Sequence, residues 1–191
     1  MKDMKEWYNQ AYFDAFDKGA HYRPRVFNIV NAVKKYNPKT ILDVGCGAGV
    51  VTKKLRDEGF DAIGIDFSPD AGKEIPGYFK VADARDIPYP DNSFDMVLCT
   101  GVLEHIEEKD IDQVYSEMKR VGGKIMATIG FRKSNYYWMK NGKKSPEYHI
   151  TIRPIEWWDK KVPEIEIINK RKSYEKCTYN GDKWVPRSPH N

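Results

Sequence analysis

An apolar run, Thr40–Val44 (TILDV), leads straight into Asp43-Val44-Gly45-Cys46-Gly47-Ala48-Gly49, and this junction constrains the fold more than any other stretch. Three glycines at alternate positions let the backbone turn sharply and approach a neighbouring group where any Cβ would collide. The residues behind them, through Glu58, are patterned as a helix, so the free N–H groups of a helix start face the turn. A glycine-rich bend between a buried strand and a helix is where open α/β sheets hold ligands. A tight turn that binds nothing is the other reading of these residues alone.

Short apolar runs and helical patterns then alternate. Strands are expected at Ala62–Ile65, Tyr78–Ala82, Phe94–Cys99 and Lys124–Ile129, with a short turn or stunted helix around Ser68–Glu74. A helix carries Ile111, Val114, Tyr115 and Met118 on one face. Upstream, Val26, Ile29, Val30 and Val33 mark a core-facing helix stopped by Asn37-Pro38, and Tyr8, Tyr12, Ala15 and Phe16 recur at helical spacing between Met4 and Gly19. The strands are too apolar for a one-sided sheet. They predict a doubly wound α/β fold, its mostly parallel sheet covered by helices on both faces.

Beyond Gly130 the pattern changes. Pro154–Lys160 predicts a helix bearing Trp157 and Trp158, Glu164–Ile168 alternates, and Asn180-Gly181 stands where a hairpin turn would. The tail reads as terminal strands of the same sheet. The 191 residues thus make one domain: a helical cap at 1–39, a cofactor-binding core at 40–130, and a substrate-side cover with terminal strands at 131–191.

Charge divides along the same line. Residues 1–130 hold 18 Lys/Arg against 21 Asp/Glu, net −3, and residues 131–191 hold 14 against 7, net +7. The basic tail is either a solvated face or a surface for an anionic partner. No apolar run approaches the ~20 residues that span a bilayer, and Met1–Gln10 lacks an apolar leader, so a cytoplasmic protein without membrane contact is expected. Cys46, Cys99 and Cys177 show no metal-ligand spacing and are expected as reduced thiols.

A dinucleotide turn would place its third glycine at position 50, which is Val50. Asp66, in Ile63-Gly64-Ile65-Asp66-Phe67, ends the second strand 21 residues after Gly45 and is placed to accept both hydroxyls of a ribose. A helix-capping Asp is the alternative there.

The Asp-x-Gly-x-Gly-x-Gly run resembles the first motif of the class I S-adenosylmethionine-dependent methyltransferases. Ala82–Asp95 looks like the stretch after that family's third strand. Cys99-Thr100-Gly101-Val102-Leu103-Glu104-His105-Ile106 resembles the segment after the fourth strand in its small-molecule, ubiquinone/menaquinone-biosynthesis branch. The resemblance runs in order over about residues 40–130. It implies a Rossmann-like, seven-stranded sheet with an antiparallel last strand, and S-adenosyl-L-methionine over the tips of strands one, two and four. The positions it assigns to that cofactor are Asp43, Gly45, Gly47, Gly49, Asp66, Phe67, Asp83 for the adenine amine, Ala84 beside the ring, and Thr100.

The activity implied is methyl transfer to a small organic acceptor at oxygen or nitrogen. RNA or another polyanion is the alternative acceptor, and a non-enzymatic adenosyl-binding module the remaining one. A hydroxyl acceptor needs a base near neutral pKa, for which His105 is the first candidate and His149 the second. Arg23, with Tyr12, His21 and Tyr22, is placed to meet the cofactor's methionine end, the Arg pairing with its carboxylate. Tyr136, Tyr137, Trp138, Trp157 and Trp158 lie where the family inserts its substrate cover. RNA-end and some quinone methyltransferases hold a divalent metal with a Glu three residues before the Glu-His pair. Here that position is Gly101, and no metal site is expected.

Overall fold

The computed structural model describes residues 22–131, 149–168, 177–179 and 184–186, with side chains at 25–131 and 149–168. In chain order the elements are α1 (Tyr22–Lys34), β1 (Thr40–Val44), α2 (Val50–Asp57), β2 (Asp61–Asp66), β3 (Phe79–Val81), β4 (Phe94–Thr100), α3 (Ile111–Val121), β5 (Gly122–Thr128), α4 (Ile155–Lys161), β6 (Ile165–Ile167), β7 (Cys177–Tyr179) and β8 (Trp184–Pro186). Short 3₁₀ turns at Leu103–His105 and Glu108–Asp110 link β4 to α3. Six strands form one sheet in the order β3-β2-β1-β4-β5-β6. Every neighbouring pair is parallel. The chain winds outward from β1 to β3 and then restarts at β4 on the other side of β1. This reversal opens a crevice at the carboxyl ends of β1 and β4.

Alternate residues of a strand face opposite sides of a sheet, and both sides here are covered. Leu42, Val44, Val97, Cys99, Ile125 and Ala127 pack with Ile111, Val114, Met118 and Val121 of α3 and with Trp158 of α4. On the other side Ile41, Met96, Leu98 and Met126 meet Val26, Ile29, Val30 and Val33 of α1 and Val51 and Leu55 of α2. Burial of each such aliphatic side chain contributes about 1.5–3 kcal/mol. The helical stripe expected on α1 is therefore its core face. The helix ends at Lys34, and Asn37 then takes a left-handed φ of 45° just before Pro38.

Two expectations for the tail are not confirmed among the described residues. The described residues form a six-stranded, wholly parallel sheet, not seven strands with an antiparallel last one. The crossover through α4 brings β6 back parallel to β5, with Ile125 opposite Ile165. The antiparallel strands β7 and β8 pair with each other, Tyr179 opposite Trp184, and form a separate ribbon rather than an extension of the main sheet. The helix expected between Met4 and Gly19 lies outside the described residues. Among the described residues no helix is long and apolar enough to cross a membrane.

Candidate active site

The glycine bend sits at the carboxyl end of β1, between the tips of β2 and β4. Gly45 N–H and Cys46 N–H both donate to Ile65 O, at 2.8 and 3.0 Å, and tie the bend to β2. Gly49 caps α2 with φ 91° and no side-chain bond. Gly45 has φ 68°, and a Cβ there would stand 2.3 Å from Val102 Cγ2. One on Gly49 would stand 2.5 Å from Ile75 Cγ1. The bareness expected to admit a ligand is thus used partly by the chain's own Val102 and Ile75. Gly45 and Gly47 remain half-buried and keep part of their surface open.

Two carboxylates brace the bend. Asp43 is fully buried, and its Oδ2 accepts the Thr52 hydroxyl at 2.7 Å. Its Oδ1 has no hydrogen-bond partner among the described residues. Burial, opposed by the Thr52 bond and reinforced by the charge of Asp66, raises the carboxyl to about 7. Asp66, 8% exposed, accepts Gly47 N–H at 3.1 Å through Oδ2 and Ser68 N–H at 3.0 Å through Oδ1. Burial raises its pKa as well, against the pull of those amides. It therefore faces the bend, with the Gly47 and Ser68 amides on its two oxygens.

The remaining expected positions divide. Phe67 packs by Ala48 and Ala71 beside the bend, and Ala84 leans on the core. Thr100 ends β4 opposite Thr128 of β5. Asp83 is engaged: the Arg85 guanidinium donates to its Oδ2 at 2.6 Å and its Oδ1 at 3.0 Å, and Arg85 N–H adds a bond at 2.9 Å. Cys46 and Cys99 are buried thiols, each raised by that burial.

Beyond Thr100 the structure assembles a group that the sequence reading did not. Glu104 is 4% exposed. Its Oε1 accepts Gly130 N–H at 2.8 Å, and its Oε2 has no hydrogen-bond partner among the described residues. Burial raises its pKa, while His149 and Arg25 pull it down. His105 and His149, half-buried, meet edge to face with ring centroids 4.9 Å apart, so the two candidate bases are neighbours. Arg25 Nη2 donates to Thr128 Oγ1 at 2.8 Å.

The side chains of Arg23 and Tyr22, and all of Tyr12, His21, Tyr136, Tyr137 and Trp138, lie outside the described residues. Trp158 is buried in the core, and Trp157 packs edge to face against it. A surface pocket lined by Tyr36, Pro38, Lys39, Asp95 and Lys124 lies by the amino ends of β1 and β4, the wrong end of such a sheet for a ligand.

An open parallel sheet with a braced glycine bend at its reversal point defines a nucleoside-type binding fold. Residues 42–126 match the family described as a methyltransferase domain. Ajmaline N-methyltransferase of Rauvolfia serpentina is 35% identical over 96 residues, 44% of this chain and 32% of that enzyme. The 2-methyl-6-phytyl-1,4-hydroquinone methyltransferase of Synechocystis is 36% identical over 81 residues, 38% of this chain and 26% of that enzyme. A crystal structure of a Pyrococcus horikoshii protein superposes with a TM-score of 0.52 at 30% identity, covering 56% of this chain and 57% of that one. Over residues 42–126 the chain is similar to methyltransferase domains. It spans about a third or less of the length of these two curated relatives.

Proposed function

We propose that this protein transfers a methyl group from S-adenosyl-L-methionine to oxygen or nitrogen of a small organic acceptor. The observation that carries the reading is the Gly45–Gly49 bend at the β1/β4 reversal, with Asp66 held against it by Gly47 N–H at 3.1 Å. The donor set fits the cofactor. A carboxylate at the tip of β2 suits a ribose, half-open Gly45 and Gly47 let a flat ligand lie on the main chain, and Asp43 keeps a buried oxygen without a hydrogen-bond partner among the described residues. The bound cofactor supplies an electrophilic methyl on a sulfonium. Asp43, Gly45, Gly47, Gly49, Asp66, Phe67, Asp83, Ala84, Thr100 and Arg23 are the residues we assign to holding it.

The chain's own contribution is alignment and exclusion of water, worth about 7–11 kcal/mol of barrier when geometry is good. His105 is the base we assign for a hydroxyl acceptor, and an amine or thiolate needs none. Residues 40–130 form the cofactor-binding unit in this reading, residues 1–39 its cap and residues 131–191 the substrate side. That one relative is named an ajmaline N-methyltransferase and another a 2-methyl-6-phytyl-1,4-hydroquinone methyltransferase supports a small acceptor.

Calorimetry with S-adenosylmethionine, S-adenosylhomocysteine and NAD tests the cofactor, and a methyl-acceptor screen tests the reaction. Binding of NAD in preference to S-adenosylhomocysteine would overturn the reading. Steep loss of acceptor binding with salt would move the acceptor from a small molecule to a polyanion.

A further inference from the structure

We propose that a polar stripe on α3, formed by Gln113, Glu117 and Arg120, positions the adenine end of the candidate cofactor site by holding the loop after β3 in one conformation. Each of the three stands one residue before a core residue of the same helix, Val114, Met118 and Val121. A shift of one residue turns a side chain onto the adjoining face of a helix. The helix therefore packs on the sheet with one stripe and grips the loop with the next.

The bonds run along the loop in order. Gln113 Nε2 donates to Arg85 O at 3.0 Å. One turn further on, Glu117 Oε2 accepts Ile87 N–H at 2.8 Å and Arg120 Nη2 donates to Ile87 O at 2.8 Å. Arg120 Nη1 continues to Tyr89 O at 2.8 Å and Asp91 Oδ1 at 3.0 Å, and Arg120 O accepts Asn92 N–H at 2.8 Å. Glu117 and Arg120 also hold each other through two bonds of 2.7 Å, so the fork that meets Ile87 is set before the loop arrives. Both main-chain groups of Ile87 are thus satisfied while its side chain, 2% exposed, enters the core.

The near end of the same loop carries two of the assigned cofactor contacts. Ala82 N–H donates to Asp66 O at 2.9 Å and ties the loop's start to the tip of β2. Asp86 N–H donates to Asp83 O at 3.0 Å and closes the turn that holds Asp83 and Ala84. That turn is therefore fixed on one side by β2 and on the other by α3. A ligand that meets Asp83 and Ala84 already in place loses less to the ordering of the chain. Gln113 is exposed and Arg120 half-buried, so their bonds order long side chains to set the path of the loop's main chain. Acting through that main chain, Gln113, Glu117 and Arg120 are positioning residues. This role rests on the methyl-transfer reading.

The test is calorimetry on the full chain with two ligands, S-adenosylhomocysteine and S-inosylhomocysteine, which carries an oxygen where adenine carries its amine. The wild-type protein should prefer S-adenosylhomocysteine. Glu117→Ala and Arg120→Lys should each weaken S-adenosylhomocysteine about three- to tenfold, the scale of one or two lost hydrogen bonds, and narrow the preference between the ligands. Glu117→Gln keeps an oxygen for Ile87 N–H and should recover most of the affinity. Gln113→Ala, on an exposed position where alanine favours the helix, should show the same loss in smaller measure and carries the test if the other variants do not fold. A clasp that served stability alone would lower the melting temperature and leave both affinities and their ratio unchanged in folded protein, and that result overturns the proposal. Hydrogen exchange at the Ile87 amide reads the grip without any ligand: it should quicken in Glu117→Ala, and unchanged exchange also overturns the proposal. A wild-type protein that binds neither ligand sinks the cofactor reading and the adenine role with it. Wild-type binding with insensitive variants sinks the adenine role alone.

Discussion

The Thr52 hydroxyl donates to Asp43 Oδ2 at 2.7 Å, joining the end of β1 to the first turn of α2 beneath the glycine bend. Both residues are fully buried. The bond is local enough to form as soon as strand and helix meet, and it fixes how the bend leaves the strand. It also holds a carboxylate where burial keeps its pKa near 7, so the base of the candidate cofactor site changes charge around neutral pH.

Asp43→Asn should therefore stabilise the protein at high pH. In the fold Asp43 titrates at about 7, facing the Asp66 carboxylate and the Cys46 and Cys99 thiols, whereas in the unfolded chain it titrates near 4. Between those values the folded state binds more protons than the unfolded state, so this group's contribution to stability falls as pH rises from about 4 to 7 and is flat above. The loss is up to roughly 4 kcal/mol. Asn keeps an acceptor for Thr52 and does not titrate. Urea unfolding at pH 8 should show the variant more stable by ~1–3 kcal/mol, with the gap closing towards pH 4.5. Equal pH profiles for the two proteins would contradict a carboxyl held near neutrality.

What could be read from sequence was what is local. The TILDV run and the Val26–Val33 stripe announce their strand and helix, because a run of buried aliphatics or a 3.6-residue period needs no partner to be visible. The alternation at Glu164–Ile168 marked a strand but not its direction, which comes from pairing with Ile125–Ala127 some forty residues away. The β5 strand was expected from Lys124 yet starts at Gly122. A Cβ on Gly122 would lie 2.4 Å from Val97 Cγ2, a cross-strand contact invisible along the chain. Glu104 shows the same limit at the site, since its burial depends on an amide 26 residues downstream. Asp83 shows it too: the residue type suits an adenine amine, and only the fold reveals the guanidinium already there.

Gly45→Ala tests how much of the bend's bareness serves the protein itself. A left-handed φ of 68° costs a non-glycine residue about 1–2 kcal/mol. The new methyl must also displace Val102, whose Cγ2 stands 2.3 Å from the Cβ position, for roughly 1–3 kcal/mol more. A Gly45→Ala/Val102→Ala pair should recover the overlap part but not the backbone part, giving a coupling energy of about 1 kcal/mol or more in a double-mutant cycle. Strict additivity would show that Val102 yields freely.

Asp66→Ala should weaken S-adenosylhomocysteine by ~1.5–3 kcal/mol, the scale of hydrogen bonds to a charged group. The variant also releases Gly47 N–H and Ser68 N–H, so its melting temperature should fall as well. Asp66→Asn separates the two effects. It keeps an acceptor for one amide and the side chain's shape, yet loses the charge that grips a ribose. Calorimetry that finds unchanged affinity in folded Asp66→Ala would remove this carboxylate from the site.

Arg85→Met should do the opposite and tighten S-adenosylhomocysteine. Asp83 spends both oxygens on Arg85, and Arg85 also reaches Asp110 Oδ2 at 3.1 Å. If Asp83 receives the adenine amine, the wild-type protein must first loosen that pair. The pair is partly exposed, with 47% and 43% of the two side chains accessible, so breaking it costs only ~0.2–1 kcal/mol. Removing the guanidinium while keeping an unbranched apolar stem should therefore improve affinity by roughly 1.5- to 5-fold, most visibly at low salt. Asp83→Asn in the Arg85→Met background should then reverse the gain. An Arg85→Met protein that binds more weakly than wild type would instead make the Arg85–Asp83 pair itself the wall of the adenine site.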